Sequence, residues 1–337
     1  MDLQSRIQHL LDLGKILGEH NSDQIQSLMY KCQLENPWFT IENITTSMDA
    51  IQREFLTVDA LLLLVKKYHL DDHVESKKIG IIMAGNLPMV GFHDLLCSYI
   101  IGHHSIIKLS DKDRVLMEFV IQYLQSRSNT DIITIVDKLT DYDAAIATGS
   151  NSTAKHFEYY FRNVPHIIRQ NRNSIAIIFG DESDETLQLL GADIFNYFGL
   201  GCRNVSKIML PVGFDPTRLF SVLAPFKNIV DHTKYKNNLD YNTALYLLNK
   251  EDFLQSDFLI LKESDSMVSR IATLHYSYFS DIKTLESWLN DYREDIQCVV
   301  SQRPIDGIDT VSFGQSQCPG ITDYADGVDT IQFLLGV

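Results

Sequence analysis

Apolar residues recur at two different spacings along the chain, and the spacing changes near residue 77. Before that point, apolar positions from Ile7 to Leu17 and across residues 48–68 follow the helical period, which predicts an N-terminal helical segment. After it, short apolar runs bounded by turn residues predict strands, at residues 77–85, 104–109, 131–136, 144–148, 166–168, 174–179 and 205–210.

Amphipathic or apolar helical runs separate these strands. They cover residues 92–101, 114–125, 151–161 and 182–197, and the alternation continues to about residue 301. Strands that alternate with helices predict a parallel sheet with helices on both faces. The strands are apolar at nearly every position, as buried parallel strands should be. The expected fold class is therefore α/β, with mainly parallel sheets.

The composition of the chain limits the classes of partner that it is expected to bind. The chain has 337 residues, is 45% hydrophobic and carries a net charge of -15. Such a negative field repels phosphate backbones and anionic membrane surfaces, so nucleic acid is not expected as a partner. The longest apolar runs are too short to span a bilayer, and the first residues lack the pattern of a secretory leader. We therefore expect a cytoplasmic protein without a membrane span.

The five cysteines include no C-x-x-C pair, which argues against a disulfide framework and against a zinc site, so no metal is expected. Cys97 and Cys298 lie in apolar runs typical of core positions. Cys202 lies in FGLGCRN, a glycine-flanked turn between a predicted helix and a predicted strand. Backbone dipoles and Arg203 could stabilise a thiolate there. The alternative is that Cys202 is a small residue filling a tight turn.

Polar residues follow the carboxyl ends of three strands, the edge where open α/β sheets bind ligands. Asn86 follows the first strand in GNLP, where its amide could stabilise an oxyanion or merely form a turn. Lys108 ends the next strand and could contact a cofactor phosphate or ribose, or simply be solvated. Gly149 and Ser150 lie between a strand and a helix N-terminus, where anions bind readily.

In their order along the chain, GNLP, IIKLSD, ATGS and GLGCRN resemble motifs of the aldehyde dehydrogenase superfamily, in particular its acyl-CoA reductase branch, the LuxC-like fatty-acid reductases. The resemblance runs from about residue 77 to the C-terminus, including the tail CPGITDYADGVDTIQFLL. It implies Cys202 as the nucleophile and Asn86 as the oxyanion donor. It also implies Lys108 and Asp111 at the cofactor ribose, with Gly149 and Ser150 at its pyrophosphate.

The resemblance further implies two α/β lobes. Residues 1–168 would form the N-terminal helices and the cofactor lobe, residues 169–304 the catalytic lobe, and residues 305–337 a tail returning to the first lobe or to a partner subunit. The implied reaction is reduction of an acyl-CoA or acyl-carrier thioester to an aldehyde, with NADPH favoured over NADH. A homo-oligomer and an acyl-transfer partner protein are also implied.

One departure from the superfamily bears on the reaction type. Hydrolytic aldehyde dehydrogenases carry a glutamate that activates water, whereas this chain has RQNRNSIAII in the corresponding stretch, with Arg169 at the expected place of that glutamate. Without such a base, the acyl-enzyme should exchange with a thiol. Two alternatives remain open. One is NAD(P)-dependent oxidation of free aldehydes, and the other is a non-catalytic scaffold of the same fold.

Overall fold

The computed structural model describes residues 1–128, 132–149 and 151–337. It divides into two compact units. The first comprises Met1–Asn171 together with Pro319–Val337, and the second comprises Arg172–Cys318. Among the described residues, no helix combines the length and apolarity needed to cross a membrane.

The first unit opens with four helices: α1 (Leu3–Leu17), α2 (Asp23–Glu35), α3 (Ile41–Glu54) and α4 (Val58–Tyr68). The side chain of the residue before each helix accepts a hydrogen bond from a backbone N–H of the first turn; these caps are Asp2, Ser22, Thr40 and Thr57. One apolar face of α1, including Leu10, Leu13 and Leu17, is completely buried. The predicted helical segment is thus present.

A five-stranded parallel sheet follows, in the order β3-β2-β1-β4-β5. Its strands are β1 (Lys78–Ile82), β2 (His104–Lys108), β3 (Ile133–Ile135), β4 (Ala144–Thr148) and β5 (His166–Arg169). The accompanying helices are α5 (Phe92–Ile101), α6 (Arg114–Arg127) and α7 (Asn151–Phe161). The strand order reverses between β1 and β4, so the carboxyl ends of these strands form the switch point where ligands bind in such sheets.

The second unit contains a seven-stranded sheet in the order β12-β11-β6-β7-β10-β9-β8. Every pairing is parallel except that of β8 with β9. The strands are β6 (Asn173–Ile177), β7 (Val205–Pro211), β8 (Leu254–Gln255), β9 (Ile260–Glu263), β10 (Thr273–Phe279), β11 (Ile296–Ser301) and β12 (Thr310–Val311). The helices are α8 (Asp184–Gln188), α9 (Leu190–Phe195), α10 (Arg218–Val222), α11 (Thr233–Asn249) and α12 (Ile282–Asp291).

Residues 305–318, which the sequence suggested as the start of a tail, belong to the second unit. Two contacts place them there. β12 pairs with β11, and the backbone N–H groups of Gly314 and Ser316 donate to the buried carboxylate of Asp193, at 2.6 and 2.9 Å. The chain rejoins the first unit at Pro319 and ends in α13 (Thr330–Leu335), which packs against α5.

The helix expected over residues 182–197 is confirmed in part, over residues 184–195. The segment is divided into α8 and α9, followed by a 3₁₀ turn in which Tyr197 and Phe198 adopt left-handed backbone conformations. Gly191 allows this compact arrangement, because a Cβ atom there would lie 2.0 Å from the Phe226 ring. The helical pattern thus stops where the chain must turn towards Cys202.

Candidate active site

Asn86 lies in the loop after β1, at the carboxyl edge of the first sheet, and its side chain is exposed. The loop is fixed on both sides. Ser47 on α3 donates to the Pro88 carbonyl at 2.7 Å, and the Met89 N–H donates to Asp113 Oδ2 at 2.8 Å. Met89 holds a positive φ of 56°, which is costly for a residue with a side chain and needs such anchoring. Asn86 is therefore presented by a well-defined loop.

Gly85 allows this loop to lie close to the loop that follows β2. A Cβ atom at residue 85 would lie 2.4 Å from Ser110 Oγ, so only glycine allows the loops after β1 and β2 to approach this closely. Lys108 is the last residue of β2, is exposed, and lies opposite Ile82 in the register. Asp111 is also exposed and forms a 3.6 Å ion pair with Arg114. Asn86, Lys108 and Asp111 thus follow neighbouring strand ends.

The turn after β4 lies at the same edge. Gly149 donates its N–H to the Arg169 carbonyl at 3.2 Å, and a Cβ atom at residue 149 would lie 2.9 Å from the Phe157 ring of α7. Glycine is therefore required for the tight passage from β4 into α7. Ser150 lies outside the described residues. Helix α7 begins directly afterwards, so its N-terminus faces the edge at which a phosphate could bind.

Cys202 lies on the turn before β7, at the amino edge of the second sheet, with an exposed side chain. Asn204, which is buried, holds this turn with three hydrogen bonds. Its Oδ1 accepts the Gly201 N–H at 2.8 Å, and its Nδ2 donates to the carbonyls of Asp193 and Asn196, at 3.1 and 2.9 Å. Ser174 donates to the Cys202 carbonyl at 2.9 Å. The thiol is thus carried on a fixed backbone.

Three consecutive left-handed residues precede this turn: Tyr197, Phe198 and Gly199, with φ of 53°, 59° and 74°. Such conformations cost on the order of 1–3 kcal/mol for a residue with a side chain, and they cluster at functional sites. The bonds from Asn204 to the preceding segment maintain them. Sequence reasoning missed Asn204, although its place two residues after Cys202 was a signal for it.

The other cysteines differ in accessibility. Cys32, Cys97 and Cys298 are buried, and Cys318 is partly exposed. Burial raises the pKa of the Cys32 thiol to about 12 and that of Cys97 well above its usual range, so both remain protonated near neutrality. A buried protonated thiol is neither a nucleophile nor a metal ligand. Among the cysteines, Cys202 has the exposure that nucleophilic chemistry requires.

The side-chain partners of Arg169 lie within the first unit. It ends β5 in the first unit, where its Nη1 donates to Asp94 Oδ2 at 2.5 Å and its Nη2 donates to Thr330 Oγ1 at 2.8 Å. Both members of the ion pair are about 7% exposed. Burial lowers the pKa of the guanidinium, but the Asp94 carboxylate outweighs this effect and raises it. The ion pair of Arg169 with Asp94 is therefore a buried one.

The sequence-predicted residues thus form two sets. Asn86, Lys108, Asp111 and Gly149 belong to the carboxyl edge of the first sheet, and Cys202 belongs to the amino edge of the second. Each set lies where its strands end or begin, and each is held by buried polar groups, Asp113 in the first unit and Asn204 in the second.

No family model matches the sequence, and no curated protein matches it. Solved structures do match its fold. Betaine aldehyde dehydrogenase from Staphylococcus aureus superposes with a TM-score of 0.66 at 14% identity, over 89% of this chain and 71% of that one. The aldehyde dehydrogenase KauB from Pseudomonas aeruginosa gives 0.66 at 12%, over 89% and 72%.

An oxidoreductase from Marinobacter aquaeolei gives a TM-score of 0.67 at 13% identity, over 89% of this chain and 73% of that one. All three likenesses extend across both units. The chain therefore has the α/β fold of the aldehyde dehydrogenases, with N-terminal helices and mainly parallel sheets.

Proposed function

We propose that this protein is a nicotinamide-dependent oxidoreductase that interconverts an aldehyde and an acyl group held on Cys202. The observation that carries the proposal is the exposed Cys202 thiol on its fixed turn, in a chain with this fold. Among the proteins of similar fold, a betaine aldehyde dehydrogenase and an indole-3-acetaldehyde dehydrogenase were each solved with NAD⁺, which supports a nicotinamide cofactor here.

In the oxidative direction, the Cys202 thiolate attacks the aldehyde carbonyl carbon and forms a C–S bond, which leaves an alkoxide. The Asn86 amide donates a hydrogen bond to this oxyanion. When bound, a nicotinamide would supply the hydride acceptor that is needed for the alkoxide to collapse to a thioester. The Cys202 acyl-enzyme then releases its acyl group to an acceptor. In the reductive direction, the same residues act in reverse order.

The carboxyl edge of the first sheet fits a dinucleotide. Gly149 has no side chain that would separate a pyrophosphate from the start of α7, and Lys108 and Asp111 are exposed at the end of β2 for ribose contacts. Ser150 would complete the pyrophosphate contact. We propose NADPH or NADH as the cofactor. The Asp111 carboxylate favours a free 2′-hydroxyl, whereas Lys112 and Arg114 favour a 2′-phosphate.

The two candidate reactions differ in the acyl acceptor. Oxidation of free aldehydes is the reaction that the names of the similar structures favour, and it needs a base to activate water. Reduction of an acyl-CoA or acyl-carrier thioester needs no such base. It is favoured by the stretch RQNRNSIAIIFG, residues 169–180, which contains no carboxylate and whose first arginine is bound to Asp94.

One assay separates these reactions. Aldehydes of increasing chain length are supplied with NAD⁺ or NADP⁺, with and without CoA, and nicotinamide absorbance and free acid are measured. Acid release without a thiol identifies an aldehyde dehydrogenase, whereas strict dependence on CoA identifies the acylating enzyme. Acyl-CoA with NADPH or NADH tests the reductive direction. A preparation without turnover in any arm, and with Cys202 inert to iodoacetamide, would support the scaffold alternative.

Two variants test the residue roles. Cys202→Ala should abolish turnover while folding and cofactor binding persist, and Cys318→Ala, the other accessible cysteine, should behave as wild type. Asn86→Ala should lower kcat by about 10²–10³-fold, the usual loss of one oxyanion donor. Full activity of Cys202→Ala would exclude the covalent mechanism, and a kcat change below about threefold for Asn86→Ala would leave Asn86 as a turn residue.

A further inference from the structure

Next to the turn that carries Cys202, the second unit contains a partly open cavity of about 60 Å³. Gly201 of that turn and Gly199 just before it line the cavity, as do Arg270 and Thr273 at the start of β10. Its space is enough for several water molecules, or for a group such as a carboxylate or a phosphate. The cavity is formed entirely by residues of the second unit.

Most polar groups around this cavity already have partners within the protein. The Asn204 side chain is used by the Cys202 turn, the Tyr235 hydroxyl donates to the Phe258 carbonyl at 3.0 Å, and the Ser206 hydroxyl donates to the Met267 carbonyl at 2.7 Å. The Arg270 guanidinium and the Thr273 hydroxyl, at the start of β10, also line the cavity.

Thr273 is 6% exposed, and its hydroxyl has no hydrogen-bond partner among the described residues. A buried hydroxyl without a partner destabilises the fold unless something binds it. Arg270 is exposed, and within the described chain its guanidinium makes no ion pair and no hydrogen bond. A free hydroxyl donor and a free cation thus line the same cavity.

The charge around the cavity points to an anion. None of its lining residues, all of which belong to the described part of the second unit, is acidic, although the protein carries a net charge of -15. Glu251 senses the Arg270 charge only weakly. Its pKa is lowered mainly by hydrogen bonds from Asn249 and Lys262, and Lys262 already pairs with it at 3.2 Å. Arg270 is therefore available to an external oxyanion.

We propose that this cavity is an oxyanion subsite, in which Arg270 and Thr273 bind a carboxylate or phosphate oxygen next to the nucleophile turn. This proposal depends on the proposed function in one respect only: the function identifies the bound oxyanion as part of a reactant. A carboxylate would belong to the far end of an acyl or aldehyde substrate, and a phosphate would belong to the thioester carrier. The aromatic side chains of Phe198 and Tyr235 also line this subsite.

The subsite is tested by calorimetric titration of the full chain with malonate and with inorganic phosphate, at constant ionic strength and without turnover. Wild type should bind one equivalent. Arg270→Gln should weaken binding by about 10- to 100-fold, and the isosteric Thr273→Val by about 3- to 10-fold, since each removes a hydrogen bond to a charged group. Tighter binding of malonate assigns the subsite to a substrate carboxylate, and tighter binding of phosphate assigns it to a carrier phosphate.

The matched control is Arg172→Gln. Arg172 directly precedes β6 at the same edge of the sheet, pairs with Glu294 at 3.6 Å and does not line the cavity. Its variant should bind both anions within twofold of wild type. Equal weakening by Arg172→Gln and Arg270→Gln would reveal general charge attraction and overturn the subsite, as would unchanged binding in Arg270→Gln and Thr273→Val. Repeating the titration in Cys202→Ala, which lacks the proposed nucleophile, shows whether the anion binds independently of the proposed catalytic reaction.

Discussion

At the scale of single residues, Asp113 shows how a buried acid fixes the loop that presents Asn86. It is 3% exposed, and its Oδ2 accepts the Met89 N–H, while its Oδ1 has no partner among the described residues. Burial raises the pKa of this carboxyl well above its usual range, and the Met89 hydrogen bond opposes that shift only in part. Ionising Asp113 therefore works against folding.

The consequence is a pH-dependent stability. Because the folded protein holds the Asp113 proton more tightly than the unfolded chain does, the contribution of Asp113 is full below about pH 4 and is lost as pH rises through the raised pKa. Asp113→Asn keeps an acceptor for Met89 without the titration. Its free energy of unfolding should therefore gain on wild type between pH 5 and pH 8, by about 1.4 kcal/mol for each unit of pKa shift.

Urea unfolding of both proteins at several pH values measures this difference. Asp111→Asn, which removes an exposed acid from the same turn, should run parallel to wild type. A gap between Asp113→Asn and wild type that stays constant from pH 5 to pH 8 would show that Asp113 does not titrate in this range.

At the scale of secondary-structure elements, Arg169 ties three of them together. It extends from the end of β5 to Asp94 on α5 and to Thr330 at the start of α13. Removing one member of a buried ion pair leaves an uncompensated charge, which typically costs 3–5 kcal/mol. Arg169→Met should destabilise the first unit by about that amount, and adding Asp94→Leu should recover most of the loss.

The exposed pair of Arg218 with Asp184, at 2.6 Å, provides the control. Exposed ion pairs contribute about 0–1 kcal/mol, so Arg218→Met should hardly change the unfolding midpoint. Thermal and urea unfolding of the three variants give the comparison. Equal losses for Arg169→Met and Arg218→Met would mean that burial of the Arg169 pair has little energetic effect.

The same elements show how far the sequence predicts the structure. Periodicity located the helix at 92–101 and the strand at 144–148 with the bounds observed, because each is a long apolar run ended by glycine or a polar turn. It extended the helix of residues 182–197 beyond its observed end at Phe195, where Tyr197 and Phe198 adopt left-handed conformations and Asn204 binds the Asn196 carbonyl. The two-residue strand β12 is too short to show a period at all.

The sequence likewise located some residues of the candidate site and missed others. Asn86, Lys108 and Gly149 follow strand ends, which the sequence shows directly. Asp113 and Thr273 could not be found in this way, because their roles depend on partners or cavities formed by distant segments. The buried ion pair of Arg169 could not be found in this way either, since its partner Asp94 lies 75 residues earlier in the chain.

At the scale of the whole molecule, the first unit is made from two segments distant in sequence. Its C-terminal segment contributes Ile331 and Leu334, both completely buried, and the Leu334 carbonyl lies 3.0 Å from His103 Nε2. Tyr68 on α4 donates to Asp329 at 2.6 Å. The second unit, in contrast, is a continuous stretch with its own apolar core.

This difference predicts that the second unit folds on its own, whereas the first unit needs its returning C-terminal segment. Burying an isoleucine or leucine side chain is worth about 1.5–3 kcal/mol, so the loss of Ile331 and Leu334 alone approaches the 5–15 kcal/mol by which domains are stable. A chain ending at residue 318 should lose cooperative unfolding of its first unit, whereas residues 172–318 expressed alone should unfold cooperatively. Joining residues 1–171 to 319–337 through a glycine-serine linker should restore a folded first unit. Calorimetry and limited proteolysis of the three proteins test this prediction. A first unit that is fully protected in the 1–318 chain would show that the returning segment is dispensable, because the core that it covers would then be stable without it.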